Sequence, residues 1–137
     1  MKYVSILSRQ RLIHEMQKEF SAVFPFLRLT FYRNQETQDR GMLLKPVPNS
    51  SSLAAAGLKQ EGEIEIDGEM TVGSLESLFK DRFGLNVQVF RQSGNIWLET
   101  VMTDGWTLQQ QNDHGRELSN KLVNAKENDF DLGRGNW

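Results

Sequence analysis

His14 and His114 are the residues of this sequence best suited to acid–base or metal chemistry near neutral pH, and each would need a carboxylate neighbour to tune or orient its ring. Glu15 and Glu19 stand near the first and Asp113 beside the second. Neither histidine belongs to an H-E-x-x-H arrangement, and the chain has no cysteine, which removes disulfides, thiolate nucleophiles and thiolate metal sites together. Both are read as solvated surface histidines. Glu61, Glu63, Glu65, Asp67 and Glu69 alternate through a short segment and could offer oxygen ligands to a hard cation. Their spacing is not that of a calcium-binding loop, and a charged edge strand that resists edge-to-edge pairing accounts for them. No glycine pattern for cradling phosphate and no G-x-S-x-G turn occurs. The expectation is no catalytic residue, no metal and no cofactor.

Aromatic residues carry more information. Leu85, Val87 and Val89 alternate with Asn86, Gln88 and Phe90, and a return strand runs from Ile96 to Val101. A two-residue turn at Ser93-Gly94 predicts that Gln92 pairs with Asn95, Arg91 with Ile96, Phe90 with Trp97, Val89 with Leu98 and Gln88 with Glu99. Val87, Val89, Ile96 and Leu98 would then face the helices. Phe90 and Trp97 would stand on the opposite face beside Gln88 and Glu99, with Tyr32 as their counterpart on an earlier strand. Such a face is covered by the third helix or the C-terminal tail, or it binds something, because exposed aromatic patches mark contact sites.

The elements that position these residues follow from periodicity. Leu12, Met16, Phe20, Val23 and Phe24 predict a helix with Ser8 as its N-cap, and Leu27, Leu29 and Phe31 alternate with Arg28, Thr30 and Tyr32 as a strand. Residues 34–61 read as a long loop with a helical turn at Leu53 to Ala56. Glu63 to Ile66 reads as a strand. Thr71 caps a helix bearing Val72, Leu75, Leu78, Phe79 and Phe83, with Gly84 closing it. Thr107 and Gln110 form a capping-box pattern for a third helix over 107–123, which Gly115 weakens, and 124–137 reads as a flexible tail whose alternating acidic and apolar residues could serve as a recognition peptide.

Thr71-Val-Gly-x-Leu75, followed by Phe79-Lys80-x-x-Phe83-Gly84, resembles a pattern of small uncharacterised bacterial α+β domains. The resemblance covers about a fifth of the chain and implies no function. The whole reads as one α+β domain over 1–123, a two-layer sandwich of a mixed sheet with helices on one face. Residues 1–33 and 62–101 form similar β-α-β halves that suggest an internal duplication.

A formal charge of -2 gives no attraction to phosphate backbones or anionic lipid, which disfavours nucleic acid. No apolar run approaches the ~20 residues that span a bilayer, and Met1 to Gln10 lacks the features of a signal peptide. With no cysteine, the compartment expected is the cytoplasm. The function expected is non-enzymatic: an interaction or assembly module that self-associates, as a homodimer, or binds another protein through Phe90, Trp97, Tyr32, Gln88 and Glu99. The alternatives are a small-ligand-binding domain and an enzyme whose site is assembled from residues scattered along the chain.

Overall fold

Apolar residues at every second position and at spacings of three and four alternate along this chain, and the elements follow them in order: β1 Lys2–Leu7, α1 Ile13–Val23, β2 Leu27–Thr37, β3 Gly41–Pro46, α2 Leu53–Ala56, β4 Gly62–Asp67, α3 Val72–Phe83, β5 Asn86–Ser93, β6 Ile96–Glu99 and α4 Leu108–Asp131. A computed structural model describes the backbone of residues 1–37 and 41–131 and the side chains of 1–34 and 44–120. The fold is α+β, as expected. In place of one mixed sheet the described residues form two, a ribbon of β1 and β4 and a sheet in the order β3-β2-β5-β6, with every described ladder antiparallel.

Local chemistry explains most boundaries. The Thr71 hydroxyl accepts the Ser74 amide at 3.1 Å and starts α3, while Gly84 closes it at φ 70°, a conformation that costs other residues about 1–2 kcal/mol. Thr107 and Gln110 form the expected reciprocal pair, with Gln110 N–H donating to the Thr107 hydroxyl at 3.0 Å and Thr107 N–H to Gln110 Oε1 at 2.9 Å. Ser8 does not cap α1. The helix starts after Leu12, whose N–H donates to Glu15 Oε1, and its first amides are taken by a distant segment, Ile13 by the Ser51 carbonyl and His14 by that of Asn49.

The segment read as a loop holds β3, which pairs with β2 from Tyr32↔Pro46 to Thr37↔Gly41, followed by the expected helical turn α2. Three consecutive apolar residues, Met42 to Leu44, hid the period of two that marks a strand. The last helix runs past residue 123 to Asp131, since no glycine or proline interrupts it between Gly115 and Gly133. Residues 132–137 of the expected tail lie outside the described residues.

One continuous core joins these elements. Phe20, Phe24, Leu29, Phe31, Leu75, Phe79 and Val89 are fully buried in it, with Phe31 and Phe79 meeting edge to face at 6.1 Å. Helix α1 bridges ribbon and sheet: Ser5 of β1 lies against Met16 and Glu19, and Gln17 Nε2 donates to the Leu29 carbonyl of β2. The starts of the helices are tied in pairs by equivalent bonds, Ile13 N–H to Ser51 O and Leu53 N–H to Arg11 O in one half, Val72 N–H to Trp106 O and Leu108 N–H to Met70 O in the other. No described helix is long and apolar enough to cross a membrane.

Candidate functional site: the open face of the sheet

The register of the β5–β6 hairpin decides which side chains share a face. Gly94 takes φ 64°, which a two-residue turn of the II′ kind requires at its first central position, so the turn is Gly94-Asn95. Ser93 therefore pairs with Ile96, Gln92 with Trp97, Arg91 with Leu98 and Phe90 with Glu99, which corrects the expected register. The partner of each residue moves by two positions, and a shift of two returns every side chain to the same face. Phe90 and Trp97 thus share a face with Gln88 and Glu99 as expected, but stand diagonally rather than directly opposite.

Strand β2 completes this face. Arg28 pairs with Phe90, Thr30 with Gln88 and Tyr32 with Asn86, and Leu44 joins from β3 opposite Asn34. Phe90 has Arg28 on one flank and Glu99 on the other, in a single row across three strands. The Arg28 guanidinium reaches across β5 to lie 5.3 Å over the Trp97 ring. Tyr32, Gln88, Phe90 and Trp97 are half-buried, while Arg28 and Glu99 are exposed. Burial holds the Tyr32 phenol above its ordinary pKa, with Glu99 adding to the rise and Arg28 opposing it. Thr30 Oγ1 is buried on this face without a hydrogen-bond partner among the described residues.

The four described α-helices pack on the other side. Gln17 of α1 bonds Leu29, Phe79 of α3 meets Phe31, Arg33 donates to the Ala55 carbonyl of α2, and Gln111 of α4 accepts from Arg91. These strand residues all alternate with Arg28, Thr30, Tyr32, Gln88 and Phe90. Helix α4, one of the expected covers for the aromatic pair, instead lies against Phe26 and Arg91, where Gly115 makes the closest approach. The tail beyond Asp131 lies outside the described residues. On the helix side Val87 and Val89 are buried as expected, but Ile96 and Leu98 are exposed at 57% and 38%, because no described helix extends over β6.

The residues with catalytic character are scattered. His14 is exposed on α1 and His114 packs edge-on to Trp106 at 5.3 Å. Glu15 is held by the Leu12 amide, Glu19 by Arg11 and Ser5, and Asp113 by Gln109 and Arg116. Of the acidic run, Glu61 accepts the Arg9 amide, Glu65 faces Lys2 at 3.6 Å and Asp67 accepts the Glu69 amide. Among the described residues no group of three histidines and carboxylates could hold a metal ion. Chelator is accordingly expected to leave the melting temperature unchanged; a shift of several degrees on adding EDTA, reversed by one cation, would show that the acidic run binds metal.

Two features escaped sequence reasoning. The Arg28–Trp97 contact spans two strands that are far apart in sequence, and only the assembled strand order reveals it. Leu44 was missed with its strand. Comparison with protein-family models, curated proteins and solved structures gives no match.

Proposed function

We propose that this chain is a non-enzymatic interaction module of the cytoplasm that self-associates through the open face of its four-stranded sheet. One observation carries the reading: the four described helices pack against one side, while Phe90 and Trp97 stand on the other, and Tyr32 and Leu44 at the end of that face line a cavity with Gly73, Glu76, Ser77 and Lys80 of α3. Aromatic residues and arginine are the side chains enriched at protein contacts, and Arg28 stacked on Trp97 supplies both in one place. The absence of cysteine fits a reducing compartment.

Trp97→Ala is expected to convert dimer to monomer while the unfolding midpoint changes little, since the ring is only half-buried within the monomer. Light scattering read beside a denaturant curve checks both. An unchanged mass together with a loss of ~3–5 kcal/mol would instead make Trp97 a core residue covered within its own chain.

A further inference from the structure

Strand β6 is an edge, and the hydrogen bonds around β5 fix which of its main-chain groups face outward. Val89 N–H donates to Glu76 and its carbonyl accepts the Thr100 hydroxyl, both on the β6 side of β5, whereas Gln92 N–H turns the other way to Phe26 O. Odd-numbered residues of β5 therefore aim their main chain at β6, so Arg91↔Leu98 and Ser93↔Ile96 are the hydrogen-bonded pairs. The N–H and C=O groups of Trp97 and Glu99 point outward, and no other backbone hydrogen bond among the described residues reaches them.

Edge strands ordinarily carry a lysine, a proline or inward charge against pairing with another chain. The opposite edge, β3, ends in Lys45-Pro46, and the ribbon edges carry Lys2, Glu63 and Glu65. Strand β6 reads Ile96-Trp97-Leu98-Glu99, and Val101 and Met102, in the helical turn that follows it, are 57% and 96% exposed.

We propose that the partner is a second copy of this chain, paired antiparallel along β6 with Leu98 opposite its own copy. The proposal rests on the self-association reading above but moves the contact from the middle of the open face to its β6 edge. This register sets Trp97 against Glu99 of the copy, so every outward main-chain group of both strands finds a partner. Arg28, stacked on Trp97, then meets the copy's Glu99 with opposite charge. Setting Glu99 against Glu99 would place like charges together, and setting Trp97 against Trp97 would leave Glu99 facing the turn residue Asn95. On the helix side Ile96 comes opposite the copy's Thr100, the last residue before the copy's exposed turn at Val101 and Met102. The two open faces merge into one sheet twice as wide, with the Trp97 rings flanking the seam. The contact is confined to a four-residue edge strand and its flanks, short of the ~800 Å² per partner of a standard stable interface, so the dimer is concentration-dependent.

The test is molecular mass by light scattering or sedimentation across a concentration series. Glu99→Pro removes only an outward N–H, and Leu98→Lys places two ammonium groups at the axis; each is expected to weaken dimerisation by roughly tenfold or more with the unfolding midpoint preserved. Glu99→Arg is expected to weaken it likewise, and Arg28→Glu added to Glu99→Arg to restore it. Phe90→Ala and Tyr32→Ala, on the face but off the edge, leave the mass unchanged. A dimer that survives both edge variants but dissociates on Phe90→Ala overturns edge pairing while keeping association through the face. A wild-type chain that is monomeric at every accessible concentration overturns both.

Discussion

Phe79→Ala is expected to lower the stability of this fold by about 3–5 kcal/mol, a large fraction of the 5–15 kcal/mol that holds a typical domain together. Phe79 is wholly buried on α3, one turn from Leu75 and from Phe83, and meets Phe31 of the central strand edge to face at 6.1 Å. Truncating it removes most of a ring's burial and leaves a void that the rigid α3–β2 contact cannot close, since the backbone on both sides belongs to regular elements. Leu78, beside it but only half-buried, is the control, and its replacement by alanine is expected to cost far less. The measurement is the denaturant midpoint with its slope, where an unchanged slope identifies a pure stability effect. A midpoint for Phe79→Ala equal to that of Leu78→Ala would mean the two sides of α3 are interchanged.

Gly115→Ala is expected to destabilise the protein although it places a better helix former in the interior of α4. Alanine gains roughly 1 kcal/mol over glycine by helix propensity. Against this, a Cβ at position 115 would lie 2.9 Å from Phe26 Cβ and 3.1 Å from both Arg91 Cγ and the Gln92 carbonyl oxygen. Those neighbours are a main-chain oxygen and carbons close to the backbone, so they cannot swing aside. Overpacking of this kind costs about 1–3 kcal/mol, and prying α4 away also strains the Arg91–Gln111 and Phe26–Asn112 hydrogen bonds, both 2.8 Å. The net expected loss is about 1–2 kcal/mol, rising with Gly115→Val, read from thermal or denaturant unfolding. A more stable Gly115→Ala would mean that α4 stands off the sheet by more than its hydrogen bonds indicate.

Gly115 also shows where sequence and structure part. A glycine inside a helical pattern reads as weakness, because its reason lies in Phe26 and Arg91, which no local rule connects to it. Helix α3 was legible from cap to cap because Thr71, Ser74 and Gly84 act within their own segment, and the capping pair of Thr107 and Gln110 was legible for the same reason. The start of α1 was not, since the partners of its first amides are carbonyls of Asn49 and Ser51. The membership of the open face survived a wrong register because the pleat repeats every two residues and the shift was by two. Arg28, the charged member that organises that face, could be placed beside Trp97 only once β5 was known to lie between their strands.

The pairing of β1 with β4 and of β2 with β5 bears on how the molecule comes apart. Each of these ladders draws one strand from the segment that runs from β1 to α2 and one from the segment that runs from β4 to α4. Once one segment departs the other keeps only its outer ladder, β2–β3 or β5–β6, and Phe31–Phe79 is lost in the same event. What opens one segment must open its companion, so amide protons of β2 and β5 should exchange with solvent at one common rate set by global unfolding, while those of the outer strands β3 and β6 exchange through local fraying.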